Sequence, residues 1–301
     1  MRIGIDLGGT KIEAITLDDN GDELMRHRVE TPVGDYQGTV TAIYNLVNHM
    51  QASLDEVAGN EVASIGIGTP GSLSPTTGLL RNSNSVCMIG KPVKQDLEKL
   101  FNREIRMTND ANCFALSEAT DGAAKGAEVV FGVIIGTGTG AGIVINGKVL
   151  NGANSIAGEW GHNPLPWPSA NELPGPECYC GKHGCIETFL SGPGLSADYL
   201  ATTGEQKTAI DIASSSDFDA QAEACLQRYE DRMARGLAHI INVIDPDVIV
   251  LGGGMSNVSR LYSNVPKLWK KYVFSDVVNT RLVAPIYGDS SGVRGAAWLW
   301  D

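Results

Sequence analysis

The chain has 301 residues, enough for two domains of ordinary size, and its 43% hydrophobic and 19% charged content excludes a disordered chain. Its 23 basic and 35 acidic residues leave a net charge of −12, which counts against nonspecific binding to nucleic acid or an anionic membrane. A phosphate ligand would then have to be held by backbone N–H groups and a metal ion. No apolar signal core follows Met1-Arg2, and runs such as 129–135 fall short of the roughly 20 residues of a membrane helix, so a cytosolic protein is expected.

Ile3, Ile5 and Leu7 alternate as the inner face of a strand. A Gly8-Gly9 turn leads into a second strand from Ile12 to Leu17, and Asn20-Gly21 predicts a hairpin into a third over Leu24 to Val29. Val40, Ile43, Val47, Met50 and Leu54 recur at helical spacing, which predicts an amphipathic helix from Tyr36 to Ala58. Strands are expected over Val62 to Ile67 and Glu104 to Met107, with a short helix between them through Val93, Leu97 and Phe101. A helix begins at Ala111, with Asn109 or Asp110 at its N-terminus.

The second half opens on the same plan: a strand from Val129 to Ile135, a glycine turn, a strand from Gly142 to Ile145, and the hairpin pair Asn146-Gly147. We read this as an internal repeat of architecture and not of sequence. The stretch from Asn151 to Cys185 is irregular and rich in Gly and Pro, and loops of that length in a compact domain are usually functional. A helix from Ala220 to Ile244 should stop at Asp245-Pro246, and a strand from Asp247 to Leu251 opens on Gly252-Gly253-Gly254. A helix through Leu261 and Val265 follows, and Ser290-Ser291 offers a cap for a short helix reaching Trp300. The order fits two α/β lobes, a small one over 1–115 and 288–301 and a large one over 116–287.

Three glycine turns follow strands: Asp6-Leu7-Gly8-Gly9-Thr10-Lys11, Gly136-Thr137-Gly138-Thr139-Gly140 and Gly252-Gly253-Gly254-Met255. Glycine lets the backbone approach a phosphate and turn successive N–H groups toward it. One such turn alone reads as a hairpin. Gly136-x-Gly138-x-x-Ala141 matches a dinucleotide fingerprint on paper, but the alternating residues after it predict a strand where that fingerprint needs a helix. Together the three turns point to a nucleoside triphosphate held between lobes, with Asp6 placed to hold Mg²⁺ through water.

Cys178, Cys180 and Cys185 crowd one glycine-containing loop, which in a cytosolic protein reads as metal binding. Three thiolates nearly fill a tetrahedral zinc site, and spacing leaves His162 and His183 as rivals for the fourth place. Cys87, Cys113 and Cys225 fall on apolar patterns and are expected to be inert.

The motifs Asp6-Leu7-Gly8-Gly9-Thr10-Lys11, Asn109-Asp110-Ala111-Asn112, Gly158-Glu159-Trp160-Gly161-His162 and Cys178-x-Cys180-Gly-x-x-Gly-Cys185-x-Glu187 resemble those of the ROK (repressor, open reading frame, kinase) sugar kinases, in family order and over essentially the whole chain. The resemblance implies a two-lobed actin/hexokinase-like, ribonuclease H-like ATPase fold with an interlobe cleft, and by family habit a homodimer. It implies ATP and Mg²⁺ at Asp6, Gly8, Gly9, Thr10, Lys11, Gly136, Thr137, Gly138, Thr139, Gly253, Gly254 and Met255. It further implies Asp110 as catalytic base, sugar contacts at Gly71, Asn84, Asn109, Asp110, Glu159, His162 and Glu187, and structural zinc on His162, Cys178, Cys180 and Cys185. In such a site one imidazole nitrogen binds the zinc and the other faces the sugar.

Pro70-Gly71-Ser72, Asn82-Ser83-Asn84-Ser85 and His162-Asn163-Pro164-Leu165-Pro166-Trp167 look most like the bacterial manno(fructo)kinases, so the expected reaction is phosphorylation of D-fructose at its 6-hydroxyl. N-acetylglucosamine kinases differ after the Gly-His pair; they, with gluco- and mannokinases, are the alternatives within the enzyme class. The family also holds sugar-responsive repressors, which carry a helix-turn-helix ahead of the first motif. With that motif beginning at Asp6 and a charge of −12, the kinase is the expectation.

Overall fold

The structure is a computed structural model describing residues 1–58, 62–83 and 85–300, the side chains of 56–58 and 289 excepted. Its contacts gather the chain into two units, one of Met1–Lys125, Gly142–Ala157 and Asp289–Asp301, the other of Gly126–Ala141 and Gly158–Gly288.

In the first unit β1 (Arg2–Leu7), β2 (Lys11–Leu17) and β3 (Glu23–Glu30) form an antiparallel meander, and α1 (Tyr36–Ala58) returns the chain to β4 (Ser64–Thr69), parallel to β1. The short strands β5 (Ser72–Leu73) and β6 (Leu80–Arg81) pair with each other. Helix α2 (Val93–Phe101) precedes β7 (Arg106–Asn109), which lies parallel to β4 and runs directly into α3 (Asp110–Thr120). The sheet order is β3-β2-β1-β4-β7. Its inner residues Ile3, Ile5, Leu7 and Ile12 are buried with Val40, Ile43, Val47 and Met50 of α1, as the alternation and the helical period require. Strands β4 and β7 end two residues later than expected, because the parallel ladder pairs Gly66 through Thr69 with Arg106 through Asn109.

The second sheet repeats the plan with β8 (Val129–Ile135), β9 (Thr139–Ile145) and β10 (Lys148–Val149) in the order β10-β9-β8-β11-β12. Asn146 and Gly147 at its hairpin both take positive φ, 50° and 74°, as a tight hairpin turn demands. The loop to Cys185 is followed by α4 (Ile186–Leu190), α5 (Gly192–Thr203), α6 (Ala209–Ser215) and the 25-residue α7 (Ala220–Ile244). Asp219 caps α7 by accepting from Gln221 N and Ala222 N, and the helix ends at a left-handed Asp245 before Pro246. Strand β11 (Val248–Gly252) is parallel to β8 and, after α8 (Leu261–Trp269), β12 (Arg281–Val283) is parallel to β11.

Helix α9 (Ser291–Ala297) belongs to the first unit, packed on β1, β4 and α3. The approach is so close that a Cβ on Gly66 would overlap the Ala296 carbonyl, and one on Gly295 the Cys113 carbonyl. Ser290 makes no capping hydrogen bond, contrary to expectation: its hydroxyl is a partner of Arg26 at 2.9 Å, while Ser291 Oγ donates to the buried Glu118 at 2.7 Å. Among the described residues, no helix is long and apolar enough to cross a membrane.

Candidate active site

In the first unit, parallel pairing sets Asp6 opposite Gly68 and Gly68 opposite Thr108, so the ends of β1 and β7 place Asp6 and Asp110 on neighbouring stretches of one sheet edge. The two carboxylates feel each other. Burial raises the Asp6 pKa first, and the charges of Asp110 and Glu13 add to that, to about 6 against the partial opposition of Lys11. Cys113, fully buried beside them, is pushed well above its usual range by burial and then by Asp6 and Asp110.

Capping of α3 falls to Asn109, whose Oδ1 accepts from Ala111 N at 2.8 Å. Its Nδ2 donates to Gly71 O at 3.1 Å, which brings two of the expected sugar residues together. Asp110 follows in the first turn, and its Oδ1 also accepts from Ala111 N at 2.8 Å. The Gly8-to-Lys11 turn is closed by Gly8 N–H donating to Lys11 O, leaving Gly9, Thr10 and Lys11 exposed. Asn84, the remaining expected sugar contact, lies outside the described residues.

In the second unit, the other two glycine turns flank a cavity of about 750 Å³, lined among others by Gly136, Thr137, Ser214, Gly254, Met255 and Asn257. Gly253 takes φ +75° there, and a Cβ on it would overlap the Ile135 carbonyl, so only glycine fits. The polar lining is hydroxyls, the Asn257 amide and the Asp217 carboxylate, with Arg260 already engaged by Glu223 and Glu230. Such a wall suits a nucleoside better than free phosphate.

Glu159, His162 and Glu187 sit on two short elements that Thr139 ties together. The turn Trp160–His162 packs Gly161 on the Thr139 carbonyl, and Glu187, in the first turn of α4, accepts the Thr139 N–H. The amide of Thr139 is therefore spent on a carboxylate and is not among those open to a phosphate. Its buried hydroxyl has no hydrogen-bond partner among the described residues.

The cysteine loop folds back on this turn. Ile186 N donates to Asn163 O at 2.8 Å and Leu165 N to Gly184 O at 2.9 Å, which carries His162 to the thiols. The ligand atoms of His162, Cys178, Cys180 and Cys185 all lie within 4.8 Å of one another. His162 Nδ1 is 3.5 Å from Cys178 Sγ, and Cys180 Sγ is 3.6 Å from Cys185 Sγ. Three soft sulfurs and one imidazole are a donor set that fits tetrahedral zinc. His183, the other histidine of the region, is outside the group, its backbone forming an isolated antiparallel bridge with that of Glu177.

Two features of this site had no signal in the sequence reading. Tyr179, between the first two cysteines, is 84% exposed, and its hydroxyl is 2.9 Å from His162 Nε2. Crowding around the hydroxyl, and then the charges of Glu187, Cys178 and Glu159, push its pKa up to about 12. Arg235 of α7 holds the other side of the loop, donating to Glu172 through both terminal nitrogens and to the carbonyls of Pro166 and Trp167. Burial raises the Glu172 carboxyl, but hydrogen bonds from Arg235, Arg232 and Ser169 outweigh it and hold it well below the usual carboxylate range.

Comparison with known proteins follows the same lines. An N-acetyl-D-glucosamine kinase of Vibrio cholerae is 40% identical over 304 residues, 99% of each chain. The structure of a ROK hexokinase from Thermus thermophilus superposes with a TM-score of 0.85 at 30% identity, covering 99% of this chain and 97% of that one. A ROK family glucokinase from Streptomyces griseus, solved with glucose and AMPPNP, gives 0.76 at 27% identity, covering 98% and 97%. These superpositions give the α/β fold of the hexokinase-like ATPases to both repeated sheets. The ROK family's own sequence profile matches residues 2–301, from the first strand through the helix that closes the first unit, and the chain belongs to the ROK family.

Proposed function

We propose that this chain is an ATP-dependent hexose kinase that phosphorylates a terminal primary hydroxyl, the 6-position. The observation that carries the reading is the pairing of Asp6 and Asp110: one carboxylate beside the exposed first glycine turn, the other at the start of α3, each within electrostatic reach of the other. Asp110 takes the proton of the sugar hydroxyl as that oxygen forms its bond to the γ-phosphorus. The bond from the γ-phosphorus to the bridging oxygen breaks, and ADP leaves with that oxygen. A carboxylate is base enough, because phosphoryl transfer depends mainly on positioning and charge neutralisation.

Backbone amides of the first turn serve the phosphates, and the cavity beside Gly136, Gly254 and Met255 takes the nucleoside. Asp6 would hold the magnesium of the nucleotide through water, and the ion would offset charge building up on the phosphates. Glu159, His162 and Glu187 bind the vicinal hydroxyls of the sugar, and Asn109 and Gly71 are further candidates for contacts to it. Zinc on His162, Cys178, Cys180 and Cys185 would be structural, setting the tautomer and aim of the imidazole.

Two observations bear on the sugar. Full-length relatives named N-acetyl-D-glucosamine kinase, 36–40% identical, favour an N-acetylated hexose over the fructose expected from the motifs. Fructose keeps a local argument. Sugar choice rests on a few side chains near the hydroxyls, and the segment His162-Asn163-Pro164-Leu165-Pro166-Trp167 is where the resemblance to manno(fructo)kinases lies. An ADP-release assay over fructose, mannose, glucose and N-acetylglucosamine tests both. Turnover with none of them would sink the kinase reading, and the highest kcat/KM assigns the sugar.

A further inference from the structure

Tyr179 occupies the middle position of Cys178-Tyr179-Cys180, where metal binding by the flanking thiols needs no aromatic side chain. Its ring is 84% exposed, so packing does not account for where it points. Two contacts to one residue do. The hydroxyl lies 2.9 Å from His162 Nε2, and the ring meets the imidazole edge-on, with centroids 5.0 Å apart at 88°.

The other imidazole nitrogen, Nδ1, is turned to Cys178 Sγ at 3.5 Å. With Nδ1 given to a metal on the cysteine side, Nε2 would be the nitrogen that keeps the ring proton, and it would donate that proton to the phenol oxygen. The phenol therefore covers the nitrogen that the kinase reading assigns to the sugar.

We propose that Tyr179 stands in for a sugar hydroxyl: in the free protein it holds the sugar-facing nitrogen of His162, and the incoming hexose exchanges with it and turns the ring away. The idea rests on the sugar-kinase reading. A hydroxyl is the right stand-in, since it matches a sugar oxygen in size and accepting power and spares the N–H from being left without a partner. An exposed ring can swing aside without disturbing a core. The exchange costs the sugar one bond already made in the free protein and is complete before chemistry, so it weighs on KM and leaves kcat alone.

Titration calorimetry without nucleotide compares wild type with Tyr179→Phe for fructose, mannose, glucose and N-acetylglucosamine, alongside KM, kcat and bound zinc. The variant keeps the ring and loses only the competing oxygen. Binding of the preferred sugar is expected to tighten about 3- to 10-fold, with KM falling in step, kcat within twofold and zinc content unchanged. Equal or weaker binding overturns the proposal, because a phenol that helps hold the sugar would be missed. Loss of zinc overturns it too, by placing the tyrosine in the metal loop's own stability. Wild-type protein that binds none of the four sugars fells the kinase reading and this proposal together, whereas equal binding in the two proteins fells the proposal alone.

Discussion

Glu187 Oε2 accepts the Thr139 N–H at 2.9 Å, so one carboxylate joins the second glycine turn to α4. The contact is tight enough that a Cβ on Gly138 would crowd the same oxygen at 2.6 Å. The turn proposed to face the nucleotide and the carboxylate proposed to bind the sugar are thus mechanically one object. Glu187→Gln keeps an acceptor for the amide and removes the charge. Its sugar KM should rise about 10-fold or more while the nucleotide KM stays within about twofold. Glu187→Ala, which strands the Thr139 amide, should raise both. Separate KM measurements for the two substrates distinguish these outcomes.

Asp110→Asn should lower kcat by about 10³-fold and leave sugar binding within about threefold of wild type, because the amide keeps the shape and loses the basicity. Single-turnover kinetics with calorimetric sugar binding check it. A variant with near-normal kcat would remove Asp110 from the role of base.

Asp6 gives a pH signature. Its folded-state pKa is raised from 3.8 to about 6, so the folded protein holds this proton more tightly than the unfolded chain does. The resulting stabilisation is complete below pH 3.8 and is lost as pH rises through about 6. At pH 7 the ionised Asp6 is therefore a burden in the nucleotide-free protein. Asp6→Asn should relieve it by about 2 kcal/mol, discounted for partial exposure, and raise Tm at pH 7 but not at pH 4. Turnover should be lost at both. Melting curves across that range decide it.

Cys180 is the exposed member of the thiol group, and its loss leaves three of the four donors. Cys180→Ser should release bound zinc and weaken sugar binding by about 10-fold or more, with the nucleotide affinity barely moved. Metal content by mass spectrometry and sugar calorimetry give the two numbers. Full sugar affinity in a zinc-free protein would end the structural-zinc assignment.

Arg235 and Glu172 are 5% and 8% exposed, and Arg235 also secures the carbonyl of Trp167, whose φ of +47° is costly for a side chain of that size. Arg235→Ala would leave a buried carboxylate with Arg232 alone among its arginine partners and free the Pro166-Trp167 turn. The expected cost is about 3 kcal/mol in unfolding free energy, together with a raised sugar KM. Denaturant melts and sugar kinetics measure it. Arg235→Lys should recover part of the stability without the carbonyl contacts.

Much of this was legible in the residues. The alternation at Ile3, Ile5 and Leu7 and the Asn20-Gly21 and Asn146-Gly147 turns gave the meander and its repetition, because a period of two and a positive-φ turn are local properties. Helix α6 carries a readable mark: Thr208 accepts from Asp211 N at 3.1 Å and donates to Asp211 Oδ2 at 2.7 Å, a cap made by two residues three apart. Strand β12 is three residues long and exists by pairing with β11, so no local pattern announces it. The same holds for the Glu172 clamp, whose arginines lie 60 and 63 residues away in the chain. Tyr179 was hidden for a different reason: cysteine spacing names the donors and says nothing about the residue between them.

Helix α9 carries a consequence for how the chain is made. The first unit takes its opening 125 residues early in synthesis, but α9 is translated only after some 290 residues, and Gly66 and Gly295 are shaped to receive or become its backbone contacts. Until α9 arrives, β1, β4 and α3 keep an uncovered apolar flank on the ribosome while the second unit is still being assembled. Fusions or truncations that delay this helix should lower soluble yield more than their distance from any reacting atom would suggest.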